Sequence, residues 1–67
     1  MSIARMTEIS ATSQTSFDDA IKDGVDRANR TLRNLESAWV KDYELMLNNG
    51  QITQYKVKLK VTFVLDE

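Results

Sequence analysis

The stretch that decides the fold is Ile52-Thr53-Gln54-Tyr55-Lys56-Val57-Lys58-Leu59-Lys60-Val61-Thr62-Phe63-Val64-Leu65-Asp66. Tyr55, Val57, Leu59, Val61, Phe63 and Leu65 alternate in it with Gln54, Lys56, Lys58, Lys60, Thr62, Val64 and Asp66. Successive side chains of a strand point to opposite faces, so residues 52–66 read as one long strand, apolar on one face and mostly polar on the other. Just before it stands Asn48-Asn49-Gly50-Gln51. Asn-Gly tolerates the positive φ angles of a type I′ turn, which predicts a tight hairpin. Residues 37–47 are then the partner strand. Ala38 and Val40 share one parity there, whereas Tyr43, Leu45 and Leu47 share the other. A change of apolar parity within a strand predicts a bulge, here near Lys41 or Asp42.

Upstream, Ser16 is a good helix N-cap, with Asp19 three residues on in a capping-box-like position. Phe17, Ala20, Ile21, Val25, Ala28 and Leu32 then recur at the spacing of one apolar helix face. Asp18 and Asp19 open this helix and Arg27, Arg30 and Arg33 lie toward its end, an order that suits the helix macrodipole. The helix is expected to run to Leu32 or Leu35. Gly24 inside it costs up to ~1 kcal/mol against Ala; either a strand approaches closely there or the glycine is a tolerated defect. Residues 10–16, polar and rich in hydroxyls, read as a loop. Residues 2–9, with Ile3, Thr7 and Ile9 on one parity, read as a short strand that adds at a sheet edge. The order is β-α-β-β. It predicts an α+β fold in which a three-stranded antiparallel sheet partly wraps one helix, with residues 1–67 as a single domain.

Composition narrows the function classes. Nine Lys plus Arg against ten Asp plus Glu leave a net charge of -1, without the clustered cationic surface that nucleic-acid binding needs. The absence of Cys and His excludes disulfides, thiolate and imidazole metal ligands and serine-type triads. Two Gly and no Pro leave no Gly-rich phosphate loop. No apolar run approaches the ~18 residues of a membrane span, so no membrane partner is expected and the domain reads as soluble and cytoplasmic. A chain of 67 residues buries only about 60% of the surface its unfolded form exposes. Without disulfides it is expected to self-associate. One helix cannot cover strands this long, and other copies are expected to cover the remaining sheet face and edges.

The chain resembles the dodecin family. Thr12-Ser13-Gln14-Thr15-Ser16-Phe17-Asp18-Asp19-Ala20 is similar to that family's Gly-Thr-Ser-x-x-Ser-aromatic-acidic-x-Ala stretch. Thr31-Leu32-Arg33-Asn34-Leu35 resembles its helix end. Asn49-Gly50-Gln51-Ile52 and Tyr55-Lys56-Val57-Lys58-Leu59-Lys60-Val61-Thr62-Phe63 resemble its hairpin and last strand. The resemblance covers nearly the whole chain without a gap. It implies a hollow homododecamer of cubic symmetry and a non-enzymatic role, the binding and sequestration of flavins, riboflavin or FMN. It further implies a strand-two Trp stacked on the isoalloxazine ring and a Gln, just after the last strand's aromatic residue, bonded to the ring's polar edge. Members of the family that lack this pair are associated with other ligands, calcium or coenzyme A among them, or with none.

Here the gap-free match puts Ser37 where the Trp would stand and Lys56 where the Gln would stand. Trp39 lies two residues beyond Ser37, and Gln54 two residues before Lys56. Both displacements run toward the hairpin tip. One reading keeps the stacking and hydrogen-bonding pair but translates it by ~6–7 Å along the sheet. The other makes Trp39 an interface residue, a position in which Trp is enriched, and Gln54 a solvated strand residue.

The remaining candidates have plain alternatives. Lys56, Lys58 and Lys60 line one strand face, either as a phosphate site for a nucleotide or coenzyme tail or as solvated charges that discourage edge pairing. Asp18, Asp19 and Asp23 offer oxygens to a hard cation, but without the spacing of a calcium loop; helix N-terminal acids account for them. Ser13, Thr15 and Ser16 have no base to activate them and fit loop and capping roles. Met1, Met6 and Met46 fit packing roles. Besides a flavin store, the pattern leaves open a shell for another phosphate-bearing ligand such as coenzyme A, a metal-binding shell, and a purely structural assembly.

Overall fold

The structure is a computed structural model and describes residues 3–65; Ser2 and Asp66, expected at strand ends, and Met1 lie outside them. Four elements follow in order: β1 (Ala4–Ser13), α1 (Phe17–Thr31), β2 (Leu35–Asn48) and β3 (Gln51–Val64). All pairings are antiparallel and the strand order is β1-β3-β2, so the strand with the strongest alternation is central. β1 is longer than the sequence predicts. Residues 10–13 are not loop but ladder, with Ser10 opposite Lys58, Ala11 opposite Val57, Thr12 opposite Lys56 and Ser13 opposite Tyr55. Hydroxyl side chains sit comfortably on an edge strand, and the pairing offered by β3 outweighs their turn preference. Only three residues then separate β1 from α1.

Ser13 begins that turn. Its side chain is nearly buried; its Oγ donates to Asp19 Oδ2 at 2.7 Å and accepts the Thr15 and Ser16 N–H groups at 2.9 and 3.4 Å. Ser16 caps the helix by accepting the Asp19 N–H at 3.0 Å. The expected capping box is therefore half made: the Asp19 carboxylate turns to Ser13 instead of back to the Ser16 N–H. After α1, Asn34 takes a positive φ of 60°, which its short amide side chain tolerates. Its carbonyl accepts the Val64 N–H at 3.0 Å and its Nδ2 donates to the Val64 carbonyl at 3.2 Å, fixing the start of β2 to the end of β3.

Three register shifts bend the hairpin. Leu35 pairs Phe63 while Ser37 pairs Thr62, Val40 pairs Leu59 while Asp42 pairs Lys58, and Met46 pairs Gln54 while Leu47 pairs Ile52. Glu36 and Lys41 are thus the extra residues of β2, and Thr53 that of β3, whose Oγ1 donates to the Met46 carbonyl at 3.1 Å. The Lys41 bulge is the one that apolar parity predicts: it returns Ala38, Val40, Tyr43, Leu45 and Leu47 to a single face. At the tip, Asn49 and Gly50 have φ of 52° and 77°, the positive pair of the predicted I′ turn.

The core lies between α1 and the inner sheet face. Val57, Leu59 and Val61 of β3 are fully buried, and Ala20, Gly24 and Ala28 form the buried helix stripe against the sheet. Burial of each large side chain contributes on the order of 2 kcal/mol. Gly24 is a close-approach position: a Cβ there would meet Leu59 Cδ1 at 2.9 Å and Ala11 Cβ at 3.2 Å. Phe17 meets Tyr43 and Tyr55 edge-on, with centroids 5.0 and 5.2 Å apart. The 15-residue helix spans ~22 Å, whereas the 14 residues of β3 span ~46 Å. Beyond Phe17 the inner face of the hairpin is therefore uncovered, and Tyr43, Leu45, Leu47 and Ile52 are exposed. Among the described residues no helix is long and apolar enough to cross a membrane.

Candidate ligand-binding face

The sheet face away from α1 carries all four residues singled out in the sequence. Register and alternation place Ser37, Trp39, Asp42, Glu44 and Met46 of β2 on it, opposite Thr62, Lys60, Lys58, Lys56 and Gln54 of β3. No bulge separates Ser37 from Trp39, so the two share the face. β1 adds Met6, Glu8, Ser10 and Thr12 opposite Thr62, Lys60, Lys58 and Lys56.

Distances along the sheet decide what these residues can do together. Ser37 stands in the Thr62 row and Trp39 in the Lys60 row. Lys56 is six β3 positions from the first and Gln54 six from the second, ~20 Å in each case. Neither pair meets within one chain. A ligand held by Trp39 and Gln54 together takes them from different copies.

The three lysines of β3 are not equivalent. Lys56 Nζ lies 3.9 Å from Glu44 Oε1 and Lys58 Nζ lies 3.8 Å from Asp42 Oδ2. Each is an exposed cross-strand pair worth roughly 0–1 kcal/mol. The expected phosphate row is thereby largely neutralised on its β2 side. Lys60 differs because its β2 neighbour is Trp39 instead of a carboxylate. Glu8 faces it from β1, and Lys60 makes no ion pair with a described residue.

Trp39 is 62% exposed. The bulge residue Lys41 lays its ammonium 4.1 Å from the ring centroid, a cation–π contact that the sequence reading did not anticipate and that an exposed setting limits to roughly 0.5–1 kcal/mol. The platform is thus a flat aromatic surface with one cation over it and another beside it. Two concavities lie elsewhere. One of about 300 Å³ lies between α1 and the start of β2, lined by Val25, Asp26, Asn29, Leu35, Glu36, Ser37 and Ala38. A second of about 360 Å³ is lined by Asp42, Tyr43, Glu44, Lys56 and Lys58. Ser37 and Lys56 border these; Trp39 and Gln54 border neither. Since binding sites cover most of a small ligand's surface, a ring stacked on Trp39 needs a second wall from another copy. Among the described residues there is no group of three or more Asp or Glu able to hold a metal ion, and Asp19 is already engaged by Ser13.

The Dodecin family model matches residues 3–66. The dodecin from Streptomyces davaonensis is 42% identical over 98% of this chain and 97% of its own, with a TM-score of 0.91. The dodecin from Streptomyces coelicolor is 35% identical over 98% and 94%, again with a TM-score of 0.91. A tryptophan-to-phenylalanine mutant of the T. thermophilus dodecin is 30% identical over the whole of both chains, also at 0.91. No curated protein matches the sequence.

Proposed function

The chain belongs to the dodecin family, whose members are small ligand-binding proteins, and on that premise we propose that it is a non-enzymatic flavin store of the cytoplasm. It works as a homododecameric shell. Riboflavin or FMN stacks its isoalloxazine ring on Trp39 of one copy, and Gln54 of another copy bonds the ring's polar edge.

One observation carries this reading. Trp39 and Gln54 are each displaced by two positions from Ser37 and Lys56, in the same direction along the same sheet face. Their separation of six β3 positions is the separation of Ser37 from Lys56. A pair translated as a unit keeps its internal geometry, and neighbouring copies then need only meet ~6–7 Å nearer the hairpin tip. The exposed hairpin side chains Leu45, Leu47 and Ile52 supply apolar surface for such copies to bury.

A second reading has one observation in its favour. The ammonium groups around Trp39 also suit the adenine ring and phosphates of coenzyme A. Titrating the purified, ligand-stripped assembly with riboflavin, FMN and coenzyme A separates the two. Saturable quenching of flavin emission supports the flavin store. Coenzyme A binding without any flavin quenching replaces it with the second reading.

A further inference from the structure

The surroundings of Trp39 carry an inference about which flavin is taken; it rests on the flavin reading and deepens it. We propose that Lys41 and Lys60 form a phosphate subsite beside the Trp39 platform, so that the site selects FMN over riboflavin.

Three observations converge on it. Lys41 is the extra residue of a β2 bulge, between Val40 opposite Leu59 and Asp42 opposite Lys58. Bulges re-aim side chains, and here the Lys41 ammonium stands 4.1 Å from the Trp39 ring centroid. Lys60 is the direct cross-strand partner of Trp39, and partners across a ladder hold their Cβ atoms about 5 Å apart. Finally, the other lysines of the face are occupied, Lys56 by Glu44 and Lys58 by Asp42. The charge pattern along β3 thus runs paired, paired, open, and the open cation is the one at the indole.

A stacked isoalloxazine leaves its side arm at the rim of the ring pair. The Lys41 ammonium reaches that rim by swinging off the indole face on its four-carbon stem, and the Lys60 ammonium reaches it from the neighbouring strand. A phosphomonoester there brings a charge of about −1.5 to −2 at pH 7 and strong acceptor oxygens for both ammonium groups. Glu8, opposite Lys60 on β1, lies on the side away from Trp39. It restrains the field of Lys60 without occupying the space next to the indole. Riboflavin has the same ring and no phosphate, so stacking alone does not separate the two flavins.

The test is an equilibrium titration of the ligand-stripped, assembled protein with FMN and with riboflavin, read by flavin emission. It is run at low and at high salt, on the wild type and on Lys41→Gln, Lys60→Gln and the double variant. Both lysines lie on the outer sheet face away from the core, and size measurement verifies that each variant assembles. The expected result is an FMN preference of about tenfold at low salt, the scale of one charge-assisted contact. The preference shrinks as salt screens it and vanishes in the double variant, in which FMN and riboflavin bind equally. Equal affinity for the two flavins in the wild type overturns the subsite and leaves the flavin store standing. So does a preference that survives loss of both lysines. Failure of both flavins to bind the assembled wild type overturns the flavin reading, and the subsite with it.

Discussion

Trp39 and Gln54 lie on the outer face of the same sheet, six β3 positions apart, and Ser37 and Lys56 repeat that spacing two positions farther from the hairpin tip. On the proposed flavin site the two pairs differ in role: Trp39 and Gln54 hold the ring, and Ser37 and Lys56 do not. Gln54→Ala is expected to weaken flavin binding about 3- to 10-fold, the range of one neutral hydrogen bond. Ser37→Ala and Lys56→Ala are expected to leave it within about twofold. Parallel titrations of the three variants check this; a larger loss in Lys56→Ala than in Gln54→Ala would return the site to the positions implied by family resemblance.

Close packing at Gly24 sets a second expectation. Replacing it with Ala improves helix propensity by about 1 kcal/mol. The new methyl, however, would meet Leu59 and Ala11 at 2.9 and 3.2 Å, and overpacking of this kind costs about 1–3 kcal/mol. Both neighbours leave little room to yield: Leu59 is fully buried and the Ala11 contact is a Cβ. Gly24→Ala is therefore expected to lower stability by about 1 kcal/mol, and Gly24→Val by more. Denaturant unfolding measures both, and a stabilised Gly24→Ala protein would show that α1 rides farther from the sheet.

The turn before α1 depends on one hydroxyl. Ser13 Oγ donates to Asp19 and accepts two backbone N–H groups. Ser13→Ala leaves all three without that partner at a largely buried position, which costs about 1–3 kcal/mol. Asp19→Asn keeps an acceptor for the Ser13 hydroxyl and loses less. Equal stability of wild type and Ser13→Ala in thermal unfolding would remove this network from the account.

The uncovered end of the hairpin makes a prediction about assembly. Leu45, Leu47 and Ile52 are 44%, 60% and 50% exposed in the single chain, because α1 ends its cover near Phe17. Leu47→Lys combined with Ile52→Lys places two charges in any contact formed there. The expected outcome is dissociation to smaller species by light scattering, together with loss of flavin binding, since the Trp39 platform loses its second wall. An intact assembly would mean that copies meet through other surfaces.

Much of this was readable from residue pattern alone, for local reasons. Strict alternation from Tyr55 to Phe63 defines β3, Asn49-Gly50 defines the turn, and the parity change between Val40 and Tyr43 places the Lys41 bulge. The same logic put Ser37 and Trp39 on one face. Residues 10–13 read as loop because hydroxyl-rich segments satisfy turn statistics, and only pairing with β3 makes them a strand. The cross-strand pairs Lys56–Glu44 and Lys58–Asp42 depend on register, which three bulges shift and of which the apolar pattern marks only the one at Lys41. Lys41 over Trp39 follows from the direction of the bulged side chain, which parity places in the chain but does not aim.

The most direct test of the account is the flavin titration repeated on the assembled Trp39→Ala protein. The chain has a single Trp, so this change removes its only indole. Stacking on an aromatic side chain contributes about 1–3 kcal/mol. The account predicts an affinity for riboflavin and FMN lower by roughly 5- to 150-fold, with the assembly intact by size. Flavin bound as tightly as by the wild type would contradict the displaced platform.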